Sequence, residues 1–238
     1  MKFRPLPGLT VATLIAFAIL AALGTWQLQR RIEKHALLDQ IRTRETLAPA
    51  PIELLLPVGN YAAFRKATAF GNFANDQEIF VSHARLDDGP TRLGFRVLTP
   101  FALGSGGTIL VDRGWIPAGQ KDIATRQAGQ IEGPTEITGS LQRPSTRGYF
   151  TPDPDIRQRL FFSRDASVIA TSLGMTLRSH LIFELATGPK GGPEPIPSHA
   201  DIPDNHLNYA LTWYSLAFVL VVLYLRYHFT IGRLKFRP

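Results

Sequence analysis

With 238 residues, 45% of them hydrophobic, this chain is long enough to bury one sizeable core or two small ones. It has no cysteine, which excludes disulfides, thiolate metal centres and cysteine nucleophiles. Its net charge of +7 does not point to nucleic acid: residues 45–206 hold 15 Lys+Arg against 17 Asp+Glu, a net of −2, and the remaining residues carry +9. The positive excess therefore flanks apolar segments, where basic side chains contact anionic lipid and set topology.

The first predicted element is a transmembrane helix over residues 9–29, "LTVATLIAFAILAALGTWQLQ", after a short cytoplasmic N-terminus, 1–8. It is uncharged over about 20 residues, enough to cross a bilayer core. A cleaved signal peptide is the alternative, but the run is long for one and lacks a clear small-x-small cleavage site. The stretch "RRIEKHALLDQIRTRETLA" keeps helical periodicity through Ile32, Leu37, Leu38 and Ile41, and "PAPIELLLPVG" ends it.

The middle reads as short strands separated by Gly, Asp, Asn and Pro: "FRKATAFGNF", "QEIFVSHARL", "GFRVLTPFAL", "GTILVDRGWI" and "TEITGSLQRP". "LGSGGT" reads as a hairpin turn between the third and fourth. "SRDASVIATSLG" predicts a helix capped near Ser163 or Asp165 and stopped at Gly174. "RSHLIFEL" is a further strand, and "ATGPKGGPEPIPSHADIPD" a Gly/Pro-rich connector. Residues 207–227 are the second predicted transmembrane helix, with Tyr209, Trp213 and Tyr214 towards one end and Tyr224 and Tyr227 towards the other. Residues 228–238 form a basic tail. Arg226, Arg233, Lys235 and Arg237 follow this span and Asp201 and Asp204 precede it, which predicts both termini in the cytoplasm. The expected fold is thus a membrane protein: two transmembrane α-helices flanking a β-rich extracytoplasmic domain over 30–206, an antiparallel barrel or sandwich of the α+β class.

Enzyme signatures are absent from the sequence. Ser105 in "GSGG" is no nucleophile elbow, and the glycines there carry no P-loop lysine. His35, His83, His180 and His199 show no metal-ligand spacing, and Asp87, Asp88, Asp153 and Asp155 read as turn residues. Two stretches carry more. "GTWQLQRR" places Trp26, Gln27 and Arg30 at the outer end of the first span, with Trp26 and Arg30 on one helical face. They read equally as an interfacial Trp and a snorkelling Arg. "PDNHLNYALTW" places His206, Tyr209 and Trp213 at i, i+3 and i+7, with Asp204 or Asn205 available as a cap. An ionisable ring at such a lip is a functional candidate, though first-turn polarity and interfacial anchoring would also explain it.

Together with "LVDRGWIP" and "GNFANDQEIFV", these stretches make the chain resemble the surfeit-locus (Surf/Shy) family of cytochrome c oxidase assembly factors. The likeness covers nearly the whole chain; one departure is Asp112, where many members have Asn. The chain begins directly at the first span, which suits a bacterial member in the plasma (inner) membrane with its central domain in the periplasm. The resemblance implies a non-enzymatic factor that binds haem a at the outer membrane face and aids its insertion into a haem-copper oxidase. His206 and Trp213 match the histidine and tryptophan linked to that role. Tyr209, Trp26 and Arg30 join them as candidate cofactor-binding residues, with His206 on the haem iron. The implied partners are the oxidase catalytic subunit, haem a synthase as a second candidate, and the lipid bilayer, with no nucleic acid. The alternative is a membrane-tethered scaffold that binds oxidase subunits without holding haem.

Overall fold

A computed structural model describes residues 2–85, 91–197 and 204–235. Asp87, Asp88, His199, Asp201, Arg237 and the end of the connector lie outside the described residues. In chain order the elements are β1 (Lys2–Phe3), α1 (Pro7–Glu45), β2 (Ala50–Pro51), α2 (Ile52–Leu55), β3 (Lys66–Phe73), β4 (Ile79–Arg85), β5 (Arg92–Leu103), β6 (Thr108–Pro117), β7 (Thr135–Gln142), β8 (Leu160–Phe161), α3 (Ala166–Leu173), β9 (Ile182–Leu185), α4 (His206–Thr230) and β10 (Leu234–Lys235). They form two compact units, residues 1–40 with 201–238, and residues 41–200.

The two long helices are α1 and α4. Pro7 opens α1, where its missing N–H leaves no gap in the helix. The helix runs unbroken for 39 residues, through the apolar run and the basic stretch after it. It stops short of Pro49 and Pro51, which cannot continue it. Both helices are long and apolar enough to cross a membrane. Leu14, Ile15 and Ile19 on α1, and Phe218, Val222 and Leu223 on α4, are exposed along them.

The second unit is β-rich. Its sheet runs β2-β3-β7-β9-β6-β5-β4-β8, and β3 also pairs with β5, so the hydrogen-bonded path returns to β3. The predicted strands occur close to their expected bounds. Strands joined by short connections pair antiparallel, as β4 with β5 and β5 with β6. Three pairings are parallel instead: β2 with β3, β4 with β8 and β6 with β9. Those partners are not joined by tight turns; β9 reaches β6 only after β7, β8 and α3, a connection long enough for a parallel crossover. Gly106 and Gly107, with φ of 89° and 84°, make the turn between β5 and β6. Asp165 caps α3 by accepting from the Ser167 and Val168 amides, and Gly174 ends it in the left-handed conformation.

Two apolar clusters hold this unit. Ile52, Ala67, Phe101, Val111, Leu141 and Phe183 form one. Ile79, Val81, Leu98, Leu110, Ile169 and Ile182 form the other, where α3 covers the sheet. Each fully buried large aliphatic or aromatic side chain contributes roughly 1.5–3 kcal/mol.

This unit also buries charges: Glu78, Arg96, Asp112, Arg113, Arg126 and Glu184. A β-bulge falls on β6: Val97 opposes Gly114 and Leu98 opposes Asp112, so Arg113 is the extra residue. Arg113 donates to Glu78 at 3.3 Å, Gln130 Oε1 at 2.9 Å and the Gly129 carbonyl at 2.6 Å. Arg126 donates to both oxygens of Glu78. Asp112 accepts from Arg96 Nε at 2.7 Å, Arg164 at 2.9 Å and the Gly114 amide at 3.0 Å, while Arg96 also donates to Glu184. Burial acts against the charge on Arg96, but Asp112 and Glu184 outweigh it and raise its pKa. For Arg113 burial wins, with Arg126 adding to it, and the pKa is lowered despite Glu78.

His83 on β4 feels the same charges. Burial, then Arg96 and Arg164, depress its pKa below the usual 6.5. The unfolded chain takes up a proton near 6.5 that the fold resists, so stability is present above that pH and falls as pH drops through the lowered value. The melting midpoint of the full chain is expected to fall between pH 7.5 and about 5.5, and to fall less in His83→Gln. Equal pH slopes for the two proteins would disprove the assignment.

Candidate functional site

The first unit is an antiparallel helix pair. Its seam is made by residues spaced three and four apart, so the contacts repeat down both helices. Gly24 of α1 is buried, and a Cβ there would come within 2.9 Å of the Tyr214 ring. Ala210 and Ala217 are buried on α4. Small residues at these points let two backbones approach closely. Hydroxyl pairs fix the register: Thr25 with Tyr214 at 3.0 Å and Thr10 with Tyr224 at 2.7 Å.

At one end the termini are clasped. β1 pairs with β10, and the Arg4 amide donates to the Arg233 carbonyl at 2.9 Å. His228 is fully buried there. Its Nε2 accepts from the Leu6 amide at 3.2 Å, and its Nδ1–H donates to the Tyr224 carbonyl at 2.9 Å. Both ring nitrogens are committed, so His228 is a structural histidine. A groove of about 290 Å³ opens near this end, lined by Leu9, Thr13, Leu220, Leu223, Tyr224 and Tyr227.

His206 occupies the other end of the seam and is the first residue of α4. Its Nδ1 lies 2.8 Å from Gln27 Oε1 on α1. Among the described residues, its Nε2 makes no hydrogen bond. Asp204 holds the backbone in front of it by accepting from the His206 amide at 3.1 Å. The N-cap position is Asn205, whose side chain makes no capping bond. The other Asp204 oxygen is 2.7 Å from His35 Nε2 and 3.8 Å from Arg31 Nε. The hydrogen bond from His35, with the His206 amide and the charge of Lys34, holds the Asp204 carboxyl below its usual pKa.

The remaining predicted residues fall in two groups. Trp213, seven residues below His206, is half-buried on α4. Tyr209 is exposed. Trp26 is exposed on α1, with the Arg30 guanidinium 5.8 Å from its ring centre, and Arg30 pairs with Glu33 at 2.8 Å. Neither Trp26 nor Arg30 makes a hydrogen bond or ring contact with His206 or Trp213 among the described residues. The residue of α1 that meets His206 is Gln27. Its signal was present in "GTWQ": three residues after Gly24 it continues the close-packed face of α1.

In the second unit a cleft of about 650 Å³ is lined by Lys66, Ser140, Glu184, Pro195 and Pro197, among others. Of its two acids, Glu45 and Glu184, the second is engaged by Arg96.

The sequence profile of the SURF1 family matches residues 14–218. A SURF1-like protein of Rickettsia bellii is 31% identical over 219 residues, which cover 90% of this chain and 88% of that protein. Surfeit locus protein 1 of Homo sapiens is 30% identical over 211 residues, covering 82% of this chain and 69% of its own. Its Xenopus tropicalis counterpart is 29% identical over 210 residues, covering 82% and 67%. The matched span takes in most of α1, the first half of α4 and the whole strand region between them, and so this chain belongs to the SURF1 family.

Proposed function

We propose that this protein is a membrane-anchored, non-enzymatic assembly factor for a haem-copper oxidase, and that it holds haem a as cargo on His206. Family membership supports the assembly role. The observation that carries the haem reading is the state of His206: one ring nitrogen is held by Gln27, and Nε2 is without a partner among the described residues. A neutral imidazole nitrogen is an axial ligand for haem iron.

The surroundings suit the group. Haem is an apolar disc with two anionic edges. The α4 surface below His206 offers Tyr209, Leu216 and half-buried Trp213, with exposed Trp26 on α1. Arg30 would meet a propionate after giving up Glu33, an exposed ion pair worth little. One imidazole ligand would let the cargo leave for the oxidase catalytic subunit.

In this reading both long helices span a bacterial inner membrane. Residues 9–29 and 207–227 lie in the bilayer, 1–8 and 228–238 face the cytoplasm, and 30–206 face the periplasm. Exposed apolar side chains along both helices support the spans. Partners would be the oxidase catalytic subunit and haem a synthase.

One observation favours the scaffold as a second reading. Tyr149 and Phe150 are 96% and 93% exposed at the centre of a tight turn, closed by the Thr151 amide donating to the Gly148 carbonyl at 3.1 Å. An exposed aromatic pair on a braced turn suits docking to another protein.

The test is a pyridine haemochrome spectrum of the full-length protein, purified in detergent from cells that make haem a. His206→Ala is expected to lose most bound haem at unchanged membrane abundance. Equal haem content in both proteins refutes the ligand assignment. Absence of haem from the native protein, with oxidase subunits still co-purifying, supports the scaffold.

A further inference from the structure

We propose that Gln27 is a positioning residue: it holds His206 in the tautomer with the proton on Nδ1, so that Nε2 presents its lone pair outward. The proposal rests on the reading of His206 as the cargo ligand.

A neutral imidazole has one donor nitrogen and one acceptor nitrogen. The atom 2.8 Å from Nδ1 is Gln27 Oε1, a carbonyl oxygen that only accepts. Nδ1 must therefore carry the hydrogen, and Nε2 is the lone-pair nitrogen. Imidazole in water favours the other tautomer, with the proton on Nε2, which would block ligation from that atom. The contact with Gln27 thus selects the form that binds a Lewis acid, as the outer partners of metal-bound histidines do.

The geometry around the pair holds it in place. Gly24 lies one turn before Gln27 and lets α4 approach closely. The Thr25–Tyr214 hydroxyl pair locks the axial register two turns below His206. Asp204 fixes the amide of His206 and is itself tied to His35. Gln27 and His206 are 179 residues apart in sequence, so the tautomer depends on the two helices being assembled. His228 differs. That ring is also protonated on Nδ1, but the Leu6 amide occupies its Nε2. Of these two seam histidines, only His206 keeps an available lone pair among the described residues.

An amide also suits a carrier better than a carboxylate would. A neutral acceptor orients the ring while adding little electron density to the ligating nitrogen. Gln27→Glu keeps the acceptor and strengthens the ligand. Gln27→Leu removes the acceptor and puts an apolar side chain of similar size in its place.

The experiment uses the full-length protein without haem, labelled with ¹⁵N-histidine, in detergent micelles at pH 8. Two-bond ¹H–¹⁵N spectra report the tautomer, and the His206 signal is assigned by its absence in His206→Ala. The native protein and Gln27→Glu are expected to show the proton on Nδ1, and Gln27→Leu a shift to Nε2. Haem titration of the same proteins is expected to show about 10–100-fold weaker binding for Gln27→Leu and recovery in Gln27→Glu. A native His206 protonated on Nε2 overturns the proposal, as does a Gln27→Leu protein with native tautomer or native haem affinity. If the tautomer follows Gln27 while no variant binds haem, the tautomer control stands and the haem reading fails.

Discussion

Glu78→Ala is expected to destabilise the β-rich unit strongly while leaving it folded at room temperature. Glu78 is 3% exposed and its single carboxylate serves two guanidiniums, Arg113 and Arg126, which are 1% and 2% exposed. Among the described residues, removing it leaves the two buried positive charges with neutral oxygens such as the Gly129 and Gln120 carbonyls. Arginine does not shed its proton at neutral pH, so the charges remain. Breaking such a buried pair costs about 3–5 kcal/mol, against a total stability of about 5–15 kcal/mol. The melting midpoint, followed by circular dichroism in detergent, should fall by roughly 10 °C or more. Glu78→Gln keeps the shape and one acceptor oxygen and should fall between native and Ala. A Glu78→Ala protein that melts with the native one would mean that the two arginines do not depend on this carboxylate.

Gly114→Ala is expected to be nearly as damaging, for a different reason. Gly114 has φ of 118°, a conformation open to glycine and strained for any other residue. A Cβ there would also sit 2.1 Å from the Glu194 carbonyl oxygen. That carbonyl accepts from the Trp115 amide at 2.7 Å, and the Glu194 amide donates back to Trp115 at 2.8 Å. Alanine must therefore push away the segment that β6 holds. The strain costs about 1–3 kcal/mol and each lost hydrogen bond about 0.5–1.5 kcal/mol more. Limited proteolysis should open the 188–197 segment early, alongside a lower melting midpoint. Native cleavage and melting of Gly114→Ala would show that the close approach to Glu194 is dispensable.

These two predictions give the Asp-Arg-Gly-Trp run its meaning. In sequence it was one of the stretches that carried the family resemblance. In the structure all four residues serve packing. Asp112 and Arg113 anchor two buried charge clusters, Gly114 admits a crossing chain, and Trp115 bonds to it. No ligand is needed to account for any of the four. Asp112 itself accepts from two arginines and an amide, which suits a full negative charge at this position.

What the sequence by itself determined was local. Twenty uncharged apolar residues prescribe a long helix because no other backbone form satisfies its own hydrogen bonds without water. Alternation and turn residues marked β3 to β7, and the Asp165 and Gly174 caps marked α3, because these signals lie within a few residues of one another. His206 and Trp213 could be placed on one face from their spacing alone. The parallel pairing of β6 with β9, the short strands β2 and β8, and the arginines around Glu78 were decided by tertiary structure. Each joins residues far apart in the chain, where no periodicity links them. The seam made the same kind of choice. Trp26 and Arg30 drew attention by residue type, yet Gln27 meets His206, because Gly24 sets which face of α1 can come close. Which of two neighbouring side chains touches a partner 179 residues away is a matter of helix rotation and axial register, and only packing supplies those.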